Sequence, residues 1–173
     1  NGFLNMNSEK MSKSLGNVLL VHDLIEQAPG EAIRLALLNG HYRQPLDWND
    51  DVLPQAKAQL DRLYGALRQL EDVEPAAGDH VPGAFLDALL DDLNTPKALA
   101  ELFQLAKLAN QAKDGQEQAK LKAALVQSGL LIGLLQQDAN QWFEGADGSS
   151  DLDAYAIEAK IEARNAARAA KDF

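Results

Sequence analysis

Leu53-Pro54-Gln55-Ala56-Lys57-Ala58-Gln59-Leu60-Asp61-Arg62-Leu63-Tyr64-Gly65-Ala66-Leu67-Arg68-Gln69-Leu70 is the stretch that decides the fold. Leu53, Ala56, Leu60, Leu63, Tyr64, Leu67 and Leu70 recur at intervals of three and four, one face of an amphipathic helix. Such a face has to be buried against another element, and helices joined by short loops bury theirs against one another.

Downstream the pattern repeats. Glu74 to Asp79, with Pro75 and Gly78, reads as a loop. Phe85, Leu86, Leu89, Leu90 and Leu93 mark a shorter helix. Thr95 is the expected N-cap of the next helix, with Pro96 at its first position and Leu99, Leu102, Phe103 and Ala106 on its apolar side. Asp114-Gly115 breaks it, and a last helix runs from about Gln116 through Leu121 and Leu125 into the run Leu130 to Leu135. Gly145-Ala146-Asp147-Gly148-Ser149-Ser150 is the clearest linker. Beyond it an alanine- and charge-rich helix is expected over 152–173. The predicted fold class is all-α: an antiparallel bundle of about four helices, preceded by a short loop and strand segment.

Upstream, Phe3, Leu4 and Met6 suit a short strand, and Val18 to Val21 suits a strand or the approach to a helix. Asp23 is placed to cap a short helix that Pro29-Gly30 ends. Glu31 to Asn39 is apolar nearly all round and should be buried, with Gly40 just past its end. His41 to Pro45 reads as a polar, aromatic loop. The expected divisions are 1–21, a loop closing an upstream domain; 22–48, a connector of short helices; 49–144, the bundle; 145–151, a linker; and 152–173, the first helix of a further region.

The 173 residues carry a net charge of −10, unevenly placed. Residues 46–143 hold eight basic and fifteen acidic side chains, whereas residues 1–20 set Lys10 and Lys13 against Glu9 alone. An acidic bundle is a poor non-specific binder of nucleic acid, so RNA would have to meet a small selected face. With no cysteine there is no disulfide framework and no thiolate metal site within these residues, which is compatible with the cytoplasm, the expected compartment. No apolar run reaches membrane-spanning length, and no membrane partner is expected. His22, His41 and His80 are scattered, and no metal site is expected.

The chemistry concentrates in Lys10-Met11-Ser12-Lys13-Ser14, followed by Leu15-Gly16-Asn17. Two ammonium groups and two hydroxyls within five residues are what a triphosphate needs; a solvated loop without a ligand is the plain alternative. Ammonium groups beside a leaving pyrophosphate stabilise the charge that builds on it, and no side chain then has to act as nucleophile or base. Gly16 gives the loop freedom, and Ser12, Ser14 and Asn17 either bond phosphate or fix the loop.

The string KMSKS resembles the signature of class I aminoacyl-tRNA synthetases letter for letter, and its flanks Asn1 to Asn5 and Leu15 to Asn17 resemble that family's. Within it the chain resembles most the cysteinyl-tRNA synthetase family. Glu31 to Leu38 followed by Gly40 to Arg43 looks like its segment leading into the helical domain. Asp91 to Pro96 looks like its junction between bundle helices. Arg164 to Phe173 looks like the helix opening its anticodon-binding region. The resemblance implies that Lys13 contacts the phosphates of ATP with Lys10 in support, and that Met11, Ser12 and Ser14 belong to the same ATP-binding loop.

It further implies a parent that activates cysteine with ATP and charges tRNA(Cys), acts as a monomer, and holds zinc in an upstream domain. This chain is read as an inactive C-terminal fragment of that parent, from its start at Asn1 and its end inside a helical pattern. The bundle is expected to meet tRNA. Arg43 is a candidate contact, with packing or a surface salt bridge equally open; Arg164 and Arg168, with Lys171, share one helix face that either meets the anticodon stem or is simply solvated. Two rival readings are a cysteine:glucosaminyl-inositol ligase of mycothiol synthesis, with the same adenylate chemistry and no tRNA, and a non-enzymatic helical interaction module.

Overall fold

The computed structural model describes residues 2–145, and at Lys13 the backbone alone. The chain divides into two units, residues 1–140 and 141–173. The helices of the first unit are α1 (Val21–Ile25), α2 (Gly30–Leu38), α3 (Val52–Gln69), α4 (Gly83–Leu90), α5 (Thr95–Gln111) and α6 (Gly115–Leu131); α7 (Ala139–Gly145) crosses the division. Three short strands, β1 (Leu4–Met6), β2 (Glu9–Lys10) and β3 (Leu46–Trp48), form one sheet in the order β2-β1-β3. The chain is thus mostly helical with a small sheet.

That sheet is more than the single strand expected near the N-terminus. β1 pairs antiparallel with β2, Asn5 opposite Lys10, and parallel with β3, Leu4 opposite Leu46 and Met6 opposite Trp48. β3 lies at the end of the span read from sequence as a connector of short helices, just after the expected loop. Three residues with Asp47 at the centre show no alternation long enough to read; pairing with β1 makes the strand, and Trp48 is buried behind it.

The core is the predicted face of α3. Ala56, Leu60, Leu63, Tyr64 and Leu67 are buried and meet α2 on one side and α5 on the other. α5 contributes Ala98, Leu99, Leu102, Leu105, Ala106 and Ala109; α6 contributes Ala123, Ala124 and Leu125. α4 packs on α5, with Phe85 and Ala88 buried; of the residues expected to mark this helix, Leu86 and Leu90 are exposed, and Leu93 falls beyond its end and is exposed too. α6 stops at Leu131, short of the predicted Leu135. Gly133 (φ +72°) and Leu135 (φ +59°) turn the chain, which buries Leu134 and Leu135 and leaves Leu130 and Leu131 exposed.

Two predicted caps move. Asn94, not Thr95, caps α5: its side chain accepts from the Lys97 N–H at 3.2 Å, and Pro96 falls one place further in. Asp23 lies inside α1, which follows Leu20 with no side-chain cap. α2 is less uniformly buried than expected, because Leu37 is exposed. Asp114 caps α6, accepting from Gln116 and Glu117 N–H at 3.1 and 3.0 Å.

Two polar knots tie the helices together. The Lys122 ammonium of α6 donates to the carbonyls of Leu70, Glu71 and Val73 at 2.8, 3.3 and 2.8 Å, at and just beyond the C-cap of α3, where the helix dipole favours a cation. On α2, the buried Glu31 carboxylate accepts from the Tyr64 hydroxyl at 2.9 Å and from Leu135 and Gln136 N–H at 3.1 and 3.0 Å. The Tyr64 hydroxyl in turn accepts from Gln137 N–H at 3.2 Å. Burial, with the carboxylate beside it, pushes the Tyr64 phenol well above its usual range, so it is a hydrogen-bond donor throughout the working pH range. Among the described residues, no helix is long and apolar enough to cross a membrane.

Candidate nucleotide-binding loop

β1 and β2 are joined through Asn7 and Ser8, both left-handed at φ 50° and 67°, the two-residue geometry whose twist suits a hairpin. Asn tolerates that conformation readily; Ser does so less well, and Asp47 of β3 holds it there. Its carboxylate accepts from Ser8 N–H at 2.7 Å and from the Ser8 hydroxyl at 3.3 Å. Asn7 N–H adds a bond to Trp48 C=O at 3.0 Å. The strand that delivers Lys10 is therefore braced from β3, 39 residues from Ser8 in sequence.

Lys10 ends β2, its ammonium 4.7 Å from the centre of the Phe3 ring. Met11, half-buried, is pinned through its N–H to Leu4 C=O at 3.1 Å. A 3-10 turn over Lys13–Leu15 follows. The Ser12 hydroxyl accepts from Leu15 N–H at 3.4 Å, so it caps that turn, and it lies 3.2 Å from the Ser14 hydroxyl. Asn17 ties the two ends of the segment: its side chain accepts from Ser12 N–H at 2.8 Å and donates to Lys10 C=O at 3.4 Å. Gly16, left-handed at φ +66° with open space about it, makes the reversal that brings Asn17 back.

Of the two roles open to Ser12 and Asn17, fixing the loop is the one their bonds perform. Among the motif's described side chains, Met11 and Ser12 are half-buried, and Lys10 and Ser14 face solvent. Sequence reasoning found the motif and missed Asp47 and Phe3. The one signal for Asp47 was a carboxylate between Leu46 and Trp48.

Arg43 bonds a different set of residues. Its Nε lies 2.6 Å from Asp92 Oδ2 and donates to the Tyr42 hydroxyl at 2.9 Å, and its Nη2 donates to Asp92 Oδ1 at 2.9 Å. The Tyr42 hydroxyl donates to the same Oδ1 at 2.6 Å, and the His41 ring stacks on Tyr42. The Tyr42 hydroxyl first and Arg43 second hold the Asp92 carboxyl below the usual carboxylate range; Asp92 in turn raises the guanidinium. The cluster is exposed and joins the segment after α2 to the turn between α4 and α5, where Asp92 and Leu93 are left-handed (φ 55° and 52°). Arg164 and Arg168 lie outside the described residues. Among the described residues, no three His, Asp or Glu side chains are placed to hold a metal ion.

Comparison with known proteins brings the two halves together. Residues 1–58 match the family described as tRNA synthetases class I (C) catalytic domain, and residues 84–136 match the DALR domain. Over its whole length the chain is 65% identical to a cysteine--tRNA ligase of Parvibaculum lavamentivorans, covering 37% of that protein. It is 53% identical to one of Xanthomonas campestris, again covering 37% of it, and 49% identical to one of Caulobacter vibrioides, covering 38%. The chain thus spans well under half the length of the curated relatives it matches.

Proposed function

The chain belongs to the cysteine–tRNA ligase family, and from that premise we propose that it supplies the ATP-contacting loop and the tRNA-contacting helices of an enzyme that charges tRNA(Cys) with cysteine. The observation that carries the reading is similarity along all of this chain to proteins of that name, with the KMSKS motif intact at Lys10–Ser14.

In the reaction, the cysteine carboxylate attacks the α-phosphate of ATP and pyrophosphate leaves. A terminal adenosine hydroxyl of the tRNA then attacks the activated carbonyl and AMP leaves. In this reading the Lys13 ammonium, supported by Lys10, stabilises the charge that develops on pyrophosphate in the first step. Met11, Ser12 and Ser14 shape the loop, whose exposure leaves it able to close over ATP and reopen. Residues 1–21 close the catalytic domain and 22–48 connect it to the helices. Residues 49–144, with α3 to α6 as an antiparallel bundle, carry the DALR match and meet tRNA. The expected linker over 145–151 and anticodon-binding region over 152–173 lie, beyond Gly145, outside the described residues. Arg43, Arg164 and Arg168 are the proposed backbone contacts; Arg43 reaches a phosphate by sharing or leaving Asp92. Zinc, placed upstream in this reading, has no site among the described residues, and no step here involves it. A monomer in the cytoplasm fits the same reading.

The test is charging of a tRNA(Cys) transcript with labelled cysteine and ATP by the full-length gene product, by its Lys13→Ala variant and by this chain alone. Charging by the full-length protein, with severe loss in the other two, is the expected result. Cysteine-dependent pyrophosphate exchange without charging would overturn it in favour of a small-molecule ligase.

A further inference from the structure

The two family matches meet at a place neither describes. α2, within the catalytic-domain match, holds residues 133–136, the last residues of the DALR match, by side chain rather than by shared backbone. Glu31 takes the Leu135 and Gln136 N–H groups, and Arg34, one turn further along α2, donates through Nη1 to the Gly133 carbonyl. Tyr64 of α3 completes the grip by bonding both Glu31 and Gln137 N–H. The held segment is wound tightly: Gly133 and Leu135 are both left-handed, and for Leu135 that conformation is costly, so its surroundings must impose it. It is also closely fitted, since a Cβ on Gly133 would lie 2.8 Å from Arg34 Nη1 and one on Gly129 would lie 2.8 Å from Leu135.

We infer that Glu31 and Arg34 form a positioning clamp. It sets the register of the DALR helices against the segment bearing the ATP loop, so that bound tRNA presents its acceptor end to the adenylate. This rests on the function proposed above. A buried carboxylate in the first turn of α2 needs its three donors, and two of them are backbone N–H groups of one segment. A change in the angle of that segment therefore weakens both backbone bonds together. The adenylate step uses ATP and cysteine alone and is indifferent to that angle; the transfer step depends on it. An offset near 1 Å at a reacting centre can cost about 100-fold in rate.

The experiment uses the full-length enzyme with Arg34→Met and Glu31→Gln, measured for cysteine-dependent pyrophosphate exchange, for tRNA charging and for melting temperature. Arg34 is exposed, so its variant spares the core, and Glu31→Gln keeps the volume while losing one acceptor. The expected result is exchange within about twofold of the parent and charging kcat/KM reduced about 10- to 100-fold, by kcat more than by KM, in both variants. Equal loss of exchange and charging together with a lower melting temperature, or no loss of charging, would overturn the clamp. Failure of the parent itself to charge tRNA(Cys) would instead overturn the function on which it rests.

Discussion

Lys122→Met isolates the energetic role of one ammonium. The substitution keeps the aliphatic stem and removes the donor to three carbonyls at the end of α3, those of Leu70, Glu71 and Val73. A hydrogen bond to a charged group is worth about 1.5–3 kcal/mol net, and a cation at a helix C-terminus adds about 0.3–1 kcal/mol. These terms do not add threefold, because one ammonium serves all three acceptors, and Lys122 is only half-buried, so water recovers part of the loss. The expected destabilisation is about 2 kcal/mol. With a urea dependence near 2 kcal/mol per molar, the unfolding midpoint of this chain falls by about 1 M, followed by circular dichroism at 222 nm. Lys120→Met, an exposed lysine two residues away, is the control and should stay within about 0.5 kcal/mol of the parent. If the two variants unfold together at equal slope, the carbonyl cap contributes nothing measurable and the reasoning fails.

Asn94→Ala should destabilise by about 1 kcal/mol as a lost cap, and Thr95→Ala by clearly less; the reverse order in urea titrations would restore Thr95 as the cap. Leu102→Ala, fully buried, should cost about 2–5 kcal/mol, whereas Leu90→Ala, 83% exposed, should stay within about 0.5 kcal/mol; comparable losses would contradict the assigned core. Asp92 has a folded pKa held below its ordinary value of 3.8, so the stability it contributes is complete above that value and is lost as pH falls through the lowered one. Arg43 stays charged across that window, so Asp92→Asn should flatten the acid limb of the stability profile and leave its slope near neutrality unchanged. An acid limb identical in parent and variant would remove the Asp92 cluster from the account. Because the cluster is exposed, added salt should shrink the difference.

What was legible in the sequence was what is local or long. The face of α3 was readable because seven apolar residues keep the helical period for 18 residues; the KMSKS segment was readable because its residues are contiguous. Period alone, however, says which residues share a face and not which face has a neighbour. On α4, Leu86 and Leu90 keep the period and stay exposed, while Phe85 and Ala88 are buried and the helix packs on α5. Asn94 and Thr95 are adjacent good caps, and the geometry of the preceding Asp92–Leu93 turn decides between them. The supports of the candidate site were beyond reach for a different reason. Asp47 braces the hairpin and Glu31 grips residues 135–136 across 39 and 104 positions of sequence, and no periodicity encodes such pairs. A carboxylate opening an apolar helix was the only hint of the second.

The parallel pairing of β1 with β3 also has a cost measured in chain entropy. Joining Leu4 to Leu46 closes a loop of about forty residues that contains the whole KMSKS segment, α1 and α2. Helical turns form from contacts three and four residues apart, whereas this closure must hold distant ends together, at a penalty growing with the logarithm of loop length. Once α2 has docked on α3, the end of that loop from α2 to β3 is already spanned, and the closure left runs from β1 to α2. The topology leads us to expect the helices to form before the sheet. On that expectation the loop with its two lysines is completed on a helical base already formed.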